Sequence, residues 1–365
     1  MTAPVRVIQV GAGGMGRVWL ELLAGTPAVE IVALVDLDLE LARVALEALG
    51  LAGVTVATSI TEVLRSRTAD AVVDITVPGA HHPVNTEALF AGLPVLCEKP
   101  IAPTVSRALS LAAASEVSGR LLMTSQSRRY YRTLSRLKEQ LGSLGELGMA
   151  TTHYAMAPRF GGFREEMASP LLLDMAIHAF DAARYLLDAD PVSVYCDSFS
   201  PPWSWYAGDA AASAIFEFAG GLRYTYVGSW CSPGFETSWN GTWRVSGAEG
   251  TATWDGESDP AVDPPSAGSG DSAHGPETIA ASLAEFLHAL RTGEIPSGEV
   301  HSNVISLAMV EAAVESAATG RRVVIADLLE RSYLTAVAQE SRPDVRTALM
   351  GWGSAAAGLG GRSRN

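Results

Sequence analysis

The chain has 365 residues, of which 48% are apolar and 18% charged, and its formal net charge is -14. That length exceeds what one hydrophobic core usually covers, so two domains are expected, and the apolar content excludes a disordered chain. The acidic balance argues against a nucleic-acid or anionic-membrane partner, because Lys and Arg would have to supply that attraction.

The chain enters an apolar strand directly at Val5–Val10, without the basic region, apolar region and cleavage site of a signal peptide. A helical pattern runs from about Gly14 to Leu23, and apolar runs at Ile31–Val35, Val54–Ala57, Ala71–Thr76, Val95–Cys97 and Leu121–Thr124 read as strands. Leu/Ala-rich helical stretches lie near residues 37–49, 84–91 and 104–117. Strands alternating with helices predict a parallel sheet covered on both faces. With right-handed crossovers, the simplest arrangement is an α/β Rossmann domain, expected over residues 1–125.

Gly11-Ala12-Gly13-Gly14-Met15-Gly16 fits G-x-G-x-x-G between a strand and a helix. Gly11 allows the tight turn, Gly13 lets the backbone approach a pyrophosphate, and Gly16 lets the helix pack closely on the strand. The helix N-terminus then presents N–H groups and a positive dipole end to phosphates. Asp36 follows Gly16 by 20 residues (36 minus 16) at the end of the second strand, where a carboxylate can accept hydrogen bonds from ribose hydroxyls. No Lys or Arg follows in Asp36-Leu37-Asp38-Leu39-Glu40 to neutralise a 2′-phosphate, so NAD is preferred to NADP.

Glu98-Lys99-Pro100 ends the Val95–Cys97 strand at the carboxyl edge of this sheet, where ligands bind in open α/β folds. A lysine there can stabilise a developing alkoxide. After Thr124 the pattern changes to strands at residues 147–156, 192–199, 210–218, 222–230, 242–247 and 250–254. These predict an α+β domain over 126–350, with a large, mostly antiparallel open sheet covered by helices on one face. Residues 255–276 read as a surface loop, 277–291 and 302–318 as helices, and 351–365 as a flexible tail. The basic run Arg128, Arg129, Arg132, Arg136 reads as a solvated helical face.

Ser169-Pro170 is a helix-start signal, with Ser as N-cap and Pro at the first helical position of a helix to about Leu187. Asp174, His178 and Asp181 fall on one face of it, beside an apolar stripe of Met175, Ala179, Ala182 and Leu186. Such a face is either simply solvated or a histidine tuned by carboxylates for proton transfer, and the Lys99 cluster favours the second. Trp203, Trp205, Tyr206, Trp230, Trp239 and Trp243 either pack a sheet face or interface, the preferred reading, or stack on a sugar ring. Tyr154, Arg159 and Arg164 are candidates to reach substrate hydroxyls or a carboxylate. Cys97, Cys196 and Cys231 lack metal or disulfide spacing and read as buried small hydrophobes of a reducing, cytoplasmic compartment; no metal is expected. No apolar stretch is long enough to span a bilayer.

The ordered set Gly11–Gly16, Thr76-Val77-Pro78 with His81, Glu98-Lys99-Pro100, Ser127-Arg128-Arg129-Tyr130 and Asp174-Met175-Ala176-Ile177-His178-Ala179-Phe180-Asp181 resembles the Gfo/Idh/MocA family. These are relatives of glucose–fructose oxidoreductase and inositol dehydrogenase. The likeness continues through the Gly247/Gly250 turn and Val310-Glu311-Ala312…Ser316-Ala317…Thr319-Gly320-Arg321, over roughly residues 5–325. It implies an NAD(H)-dependent oxidoreductase acting on a hydroxyl carbon of a sugar, cyclic polyol or glycoside. Lys99 matches the residue that contacts the reacting oxygen and nicotinamide region, His178 the general acid/base, and Asp174 its acidic partner. By the same resemblance Gly14, Met15, Thr76, Pro78 and Glu98 join the cofactor site, His81 matches a position near it although a structural role at a helix start is its preferred reading, and Arg129 joins the substrate candidates. It also implies a homodimer or homotetramer through the second domain's sheet. A redox-neutral NAD-dependent glycosidase or lyase, and a non-catalytic NAD- and sugar-binding regulator, are the alternatives.

Overall fold

The computed structural model describes residues 3–265 and 275–360. The chain forms two compact units, the first from Met1–Gln126, Ile279–Val304 and Arg331–Asn365, the second from Ser127–Thr278 and Ile305–Glu330. No described helix is long and apolar enough to cross a membrane.

The first unit alternates β1 (Val5–Val10), α1 (Gly14–Ala24), β2 (Val29–Val35), α2 (Leu39–Ala48), β3 (Thr55–Ala57) and α3 (Ile60–Leu64). It continues with β4 (Ala71–Asp74), α4 (Pro78–Phe90), β5 (Val95–Glu98), α5 (Val105–Ser118) and β6 (Leu122–Ser125). The strands pair in the order β3-β2-β1-β4-β5-β6, every pair parallel. This is the Rossmann order, and its reversal beside β1 opens a crevice at the carboxyl ends of β1 and β4. The central strands are apolar on both sides because helices cover both faces: Ala71, Val72, Val73, Val95 and Leu96 are all buried. α4 starts before the predicted helix near 84–91, with Pro78 in its first turn and Pro83 inside it.

The second unit begins with a 3-10 turn at Ser127–Tyr130, α6 (Arg132–Leu141) and β7 (Leu147–Ala155). A π-helical turn at Leu171–Ala176 leads into α7 (Ile177–Leu187). β8 (Pro191–Phe199), β9 (Ala211–Phe218), β10 (Arg223–Ser229), β11 (Thr242–Gly247), β12 (Gly250–Trp254) and β13 (Ala261–Asp263) follow. With β14 (Val323–Val324) they make an eight-stranded sheet ordered β13-β12-β11-β7-β10-β9-β8-β14. Only the β7–β10 pair among these is parallel. Alternation sorts its faces: Tyr224, Tyr226, Phe216 and Trp243 point inward, and Phe180 of α7 packs on Phe216 and Tyr226 at ring distances of 4.7 and 5.3 Å. The other face carries the exposed Met149, Tyr195, Ile215 and Val227.

Four expectations are corrected. The second domain does not hold all of 126–350: α8 (Thr278–Thr292) belongs to the first unit from Ile279, and the division falls inside α9 (Val300–Thr319) and α10 (Ile325–Gln339). Residues 351–360 are not a flexible tail, because α11 (Pro343–Trp352) and α12 (Ala355–Gly360) are helical and bury Leu349 and Leu359; 361–365 lie outside the described residues. These helices complete the core around α5, whose residues Ala108 to Ser115 are all buried. β13 interrupts the predicted loop at 255–276, of which 266–274 lie outside the described residues. Ser169 does not cap the helix by its side chain; the π-helical turn follows Pro170 instead. Cys97, Cys196 and Cys231 are free and buried.

Candidate functional site

In the first unit the site is built by the turn after β1. Gly11 sits at φ +101°, and a Cβ there would lie 2.5 Å from the Ile75 carbonyl oxygen. A Cβ on Gly16 would lie 2.3 Å from the Gly11 carbonyl oxygen, so both glycines are demanded by packing. Gly13 differs: a Cβ there meets nothing within 4 Å, and it and Gly14 leave an open cradle. No side chain caps α1, so its positive end faces that cradle beside the exposed Met15. Gln9, buried in β1, fixes the turn by donating from Nε2 to the carbonyls of Gly11 and Gly16 at 2.9 and 2.7 Å. In the sequence Gln9 carries one signal only, a polar residue inside an apolar strand.

Asp36 accepts the Ala12 N–H at 2.8 Å and the Asp38 N–H at 2.9 Å, which aims its carboxylate along the cleft. The cleft holds about 890 Å³ of empty space, open to solvent, between the Gly11–Gly13 turn, Asp36 and Thr76. Leu37, Ile60 and Val77 give it apolar walls, and Glu87 adds a second carboxylate; among the described residues neither Lys nor Arg lines it. An open glycine cradle, an uncapped helix end and a ribose-side carboxylate fit a dinucleotide.

The β5 end is tied to the same turn region. Glu98 accepts the Trp19 indole N–H at 2.9 Å and the Lys99 backbone N–H at 3.0 Å, and the Lys99–Pro100 peptide is cis. His81 is fully buried in α4, its Nδ1 2.6 Å from the Pro100 carbonyl oxygen and its Nε2 2.9 Å from that of Thr76. Thr76 donates its hydroxyl and N–H to Asp74 at 2.7 and 3.0 Å. Asp74, His81 and Cys97 bring ligand-type atoms within 4.8 Å of one another, but both ring nitrogens of His81 already face carbonyls. Burial pushes the Asp74 carboxyl and the Cys97 thiol upward in pKa. His81 thus links the Pro100 and Thr76 carbonyls, and Asp74 holds Thr76.

In the second unit His178 lines a narrow pocket that is partly open to solvent. Met175, Ala179 and Ala182 of the helix face Thr152, Tyr154, Tyr226 and Trp243 of the sheet across it. Trp239 and Trp243 of the predicted aromatic set line this pocket, as does Trp254, which the sequence reading left out. The rest pack among themselves: Tyr206 stacks on Trp230 at 5.9 Å and contacts Trp205 at 5.3 Å, while Trp203 donates to the Cys231 carbonyl. Tyr154 is buried, and its hydroxyl accepts the Trp230 indole N–H at 2.9 Å; burial raises its pKa.

The helical face does not present two carboxylates to His178. Asp181 is buried, bound by Arg129 through two bonds of 2.6 and 2.7 Å and by the Ser306 hydroxyl at 2.6 Å. Arg129 is therefore committed inside the unit rather than offered to substrate. Asp174 forms an ion pair with Arg164 at 2.6 Å, at the π-helical turn. Turns of this kind interrupt helices most often at functional sites. Arg159 is exposed and lies over the Trp205 ring at 4.0 Å. The basic run is not a solvated face, since Arg129 is buried and Arg128 lines the His178 pocket.

The family model for an oxidoreductase family with an NAD-binding Rossmann fold matches residues 5–126, and that for the GFO/IDH/MocA C-terminal domain matches 131–253. The chain is 29% identical to the uncharacterized protein y4oX of Sinorhizobium fredii over 261 residues, 68% of this chain and 72% of the relative. It is 31% identical to inositol 2-dehydrogenase of Arthrobacter sp. over 198 residues, 53% of this chain and 57% of that relative. The match thus spans little more than half of that dehydrogenase. Among solved structures, an oxidoreductase from Agrobacterium radiobacter in complex with NAD+, L-tartaric acid and magnesium superposes with a TM-score of 0.80. It is 20% identical, and the match covers 90% of this chain and 100% of that one, a likeness of fold.

Proposed function

The chain belongs to the Gfo/Idh/MocA family of oxidoreductases, and from that premise we propose that it is an NAD-dependent dehydrogenase acting on a hydroxyl carbon of a sugar or cyclic polyol. The observation that carries this reading is the open Gly13–Gly14 cradle at the uncapped end of α1, with Asp36 at the end of β2. Asp36 and Glu87 in the cleft, with no basic residue lining it among the described residues, favour NAD over NADP, whose 2′-phosphate they would repel.

Bound NAD would supply the acceptor for the hydride leaving the substrate carbon. His178, its imidazole in the neutral form, takes the hydroxyl proton as the C–O bond becomes a carbonyl. Lys99 donates a hydrogen bond to that oxygen and stabilises its developing negative charge. Asp174, held by Arg164 one turn before His178, is the acidic partner that orients the imidazole. The aromatic walls around His178 present flat apolar surfaces suited to a ring substrate. Likeness to inositol 2-dehydrogenase, 31% identical over 198 residues, supports a polyol as substrate. A second copy of the chain covers the exposed face of Met149, Tyr195, Ile215 and Val227.

The test is absorbance at the reduced-nicotinamide band with NAD and then NADP against inositols, aldoses and glycosides, with His178→Ala alongside. A rise with NAD that the variant loses supports the reading. Demonstrable NAD binding with no rise on any polyol counts against it, and product release without NADH accumulation replaces it by elimination.

A further inference from the structure

Lys99 is one of two lysines in the chain, the other being Lys138, and its backbone is held from both sides. Glu98 spreads its carboxylate over two donors: Oε1 accepts the Trp19 indole N–H at 2.9 Å and Oε2 the Lys99 N–H at 3.0 Å. Beyond Lys99, the Pro100 carbonyl oxygen lies 2.6 Å from Nδ1 of His81. Trp19 is fully buried on the inner face of α1, with Gly16, Leu20 and Leu23. Gly16 lets that helix approach β1 closely, since a Cβ there would lie 2.3 Å from the Gly11 carbonyl oxygen. One turn later on the same face, Trp19 reaches across to the end of β5. Packing alone asks only for a large apolar side chain at that position; the indole adds one directed N–H, and Glu98 takes it.

We propose that Trp19 is a positioning residue for the reaction: through Glu98 it sets the backbone from which the Lys99 side chain starts. The proposal rests on the dehydrogenase reading for what the ammonium does there, and on the bonds above for how it is aimed. A lysine side chain is a flexible four-carbon stem, so the place of its Nζ depends on how firmly its base is fixed. Bonds from N–H groups to a carboxylate are short and about twice as strong as neutral ones, which suits them to that task. The same helix presents its uncapped N-terminus to the glycine cradle, so one rigid element registers both the nucleotide-binding turn and the lysine. Losing the indole N–H leaves the Glu98 carboxylate free to turn and the Lys99 peptide without a fixed acceptor. Displacing a reacting group by about 1 Å costs on the order of 10²-fold in rate.

Two variants separate the bond from the packing. Nε2 of a histidine occupies the ring position that Nε1 holds in tryptophan, so Trp19→His keeps the N–H and loses the six-membered ring. Trp19→Phe keeps an apolar ring and loses the N–H. With two lysines in the chain, reductive methylation with 13C-formaldehyde gives two lysine methyl signals beside that of the terminal amine, assigned with Lys99→Met and Lys138→Arg. Lys138, 3.9 Å over the Tyr185 ring, is the internal control. Trp19→Phe should move the Lys99 signal, leave that of Lys138 in place and lower kcat by about 10- to 100-fold at unchanged NAD affinity. Trp19→His should stay near the native chain in both readouts, although it melts lower. In a Lys99→Met background Trp19→Phe should cost no further activity, because groups that act through one another are not additive. A merely structural role would rank the variants by melting temperature and give the same loss with and without Lys99. Either result, or an unmoved Lys99 signal in Trp19→Phe, overturns the proposal. Should Trp19→Phe fail to fold, Glu98→Gln, whose amide oxygen replaces only one of the two acceptors, should shift the Lys99 signal in its place. A moved Lys99 signal with no NADH from any polyol removes the dehydrogenase reading and leaves the positioning standing; native turnover in Trp19→Phe does the reverse.

Discussion

Arg129 and Asp181 face each other inside the second unit through two parallel bonds of 2.7 and 2.6 Å, both side chains almost fully buried. The pair fixes the 3-10 turn that carries Arg128 against the helix that carries His178. Two residues that look like site chemistry in the sequence are thus the brace that holds it.

Breaking that brace leaves a buried charge alone. Arg129→Met should cost about 3–5 kcal/mol of stability, the usual penalty for stranding one partner of a buried pair. Urea unfolding checks it, and a loss below about 1 kcal/mol would contradict the reading. Arg129→Met combined with Asp181→Leu should recover part of the loss, since the stranded carboxylate is then gone.

The glycine turn separates packing from binding. Gly16→Ala should lower the melting temperature, because its Cβ would meet the Gly11 carbonyl oxygen at 2.3 Å. Gly13→Ala should melt like the native chain and bind NAD about 10-fold or more weakly, since its Cβ enters the space reserved for the pyrophosphate. Calorimetric titration and thermal melting read the two effects; equal NAD affinity in Gly13→Ala would show that the cradle faces elsewhere.

Removing the proton acceptor should slow chemistry without loosening the cofactor. His178→Ala is expected to lose roughly 10²–10⁴ in kcat, the range for general acid/base catalysis, with NAD affinity unchanged. Near-native turnover would remove His178 from the mechanism.

His301 gives the first unit a pH dependence. It is fully buried between Glu299 at 2.6 Å and Glu116 at 3.0 Å, and Trp352 donates to the other oxygen of Glu116. Burial opposes its charge, but the hydrogen bonds and charges of the two glutamates outweigh it, so its pKa is raised above 6.5. A raised folded value means stability that is fully present below the unfolded pKa and lost as pH rises through the folded one. Melting temperature should therefore fall as pH climbs above 6.5, by more than in His301→Gln. Parallel pH profiles for the two proteins would dismiss the effect.

The open sheet face predicts assembly. Ile215→Glu places a charge opposite Tyr195 of β8 on that face, and light scattering should shift toward monomer without a change in protomer melting. An unchanged mass would leave the face uncovered by a second copy.

Much of the first unit was legible because a parallel sheet writes itself as apolar runs at helix-length spacing, and Gly11 to Gly16 and Asp36 fall where that alternation puts them. The open sheet was legible through its aromatic alternation at Tyr224, Tyr226 and Trp243. What stayed hidden depends on which neighbour a side chain meets. Asp181 and Arg129 are far apart in sequence, and nothing in the spacing says that they close on each other rather than on a ligand. Gln9 and Trp19 look like ordinary strand and helix residues until their bonds to the glycine turn and Glu98 are seen. The helices after residue 276 are rich in apolar residues, and an apolar run does not declare which core it joins.

The return of those helices bears on how the chain is made. The face of α5 that Val345 and Leu349 help bury waits for residues more than two hundred positions later, as does the partner of Glu116 at Trp352. A ribosome releases the glycine turn well before the residues past 342 that finish the unit holding it. A nascent chain stopped after Gln126 would carry every residue of the nucleotide cradle with a bare apolar helix beside it, a ready target for chaperones and proteases.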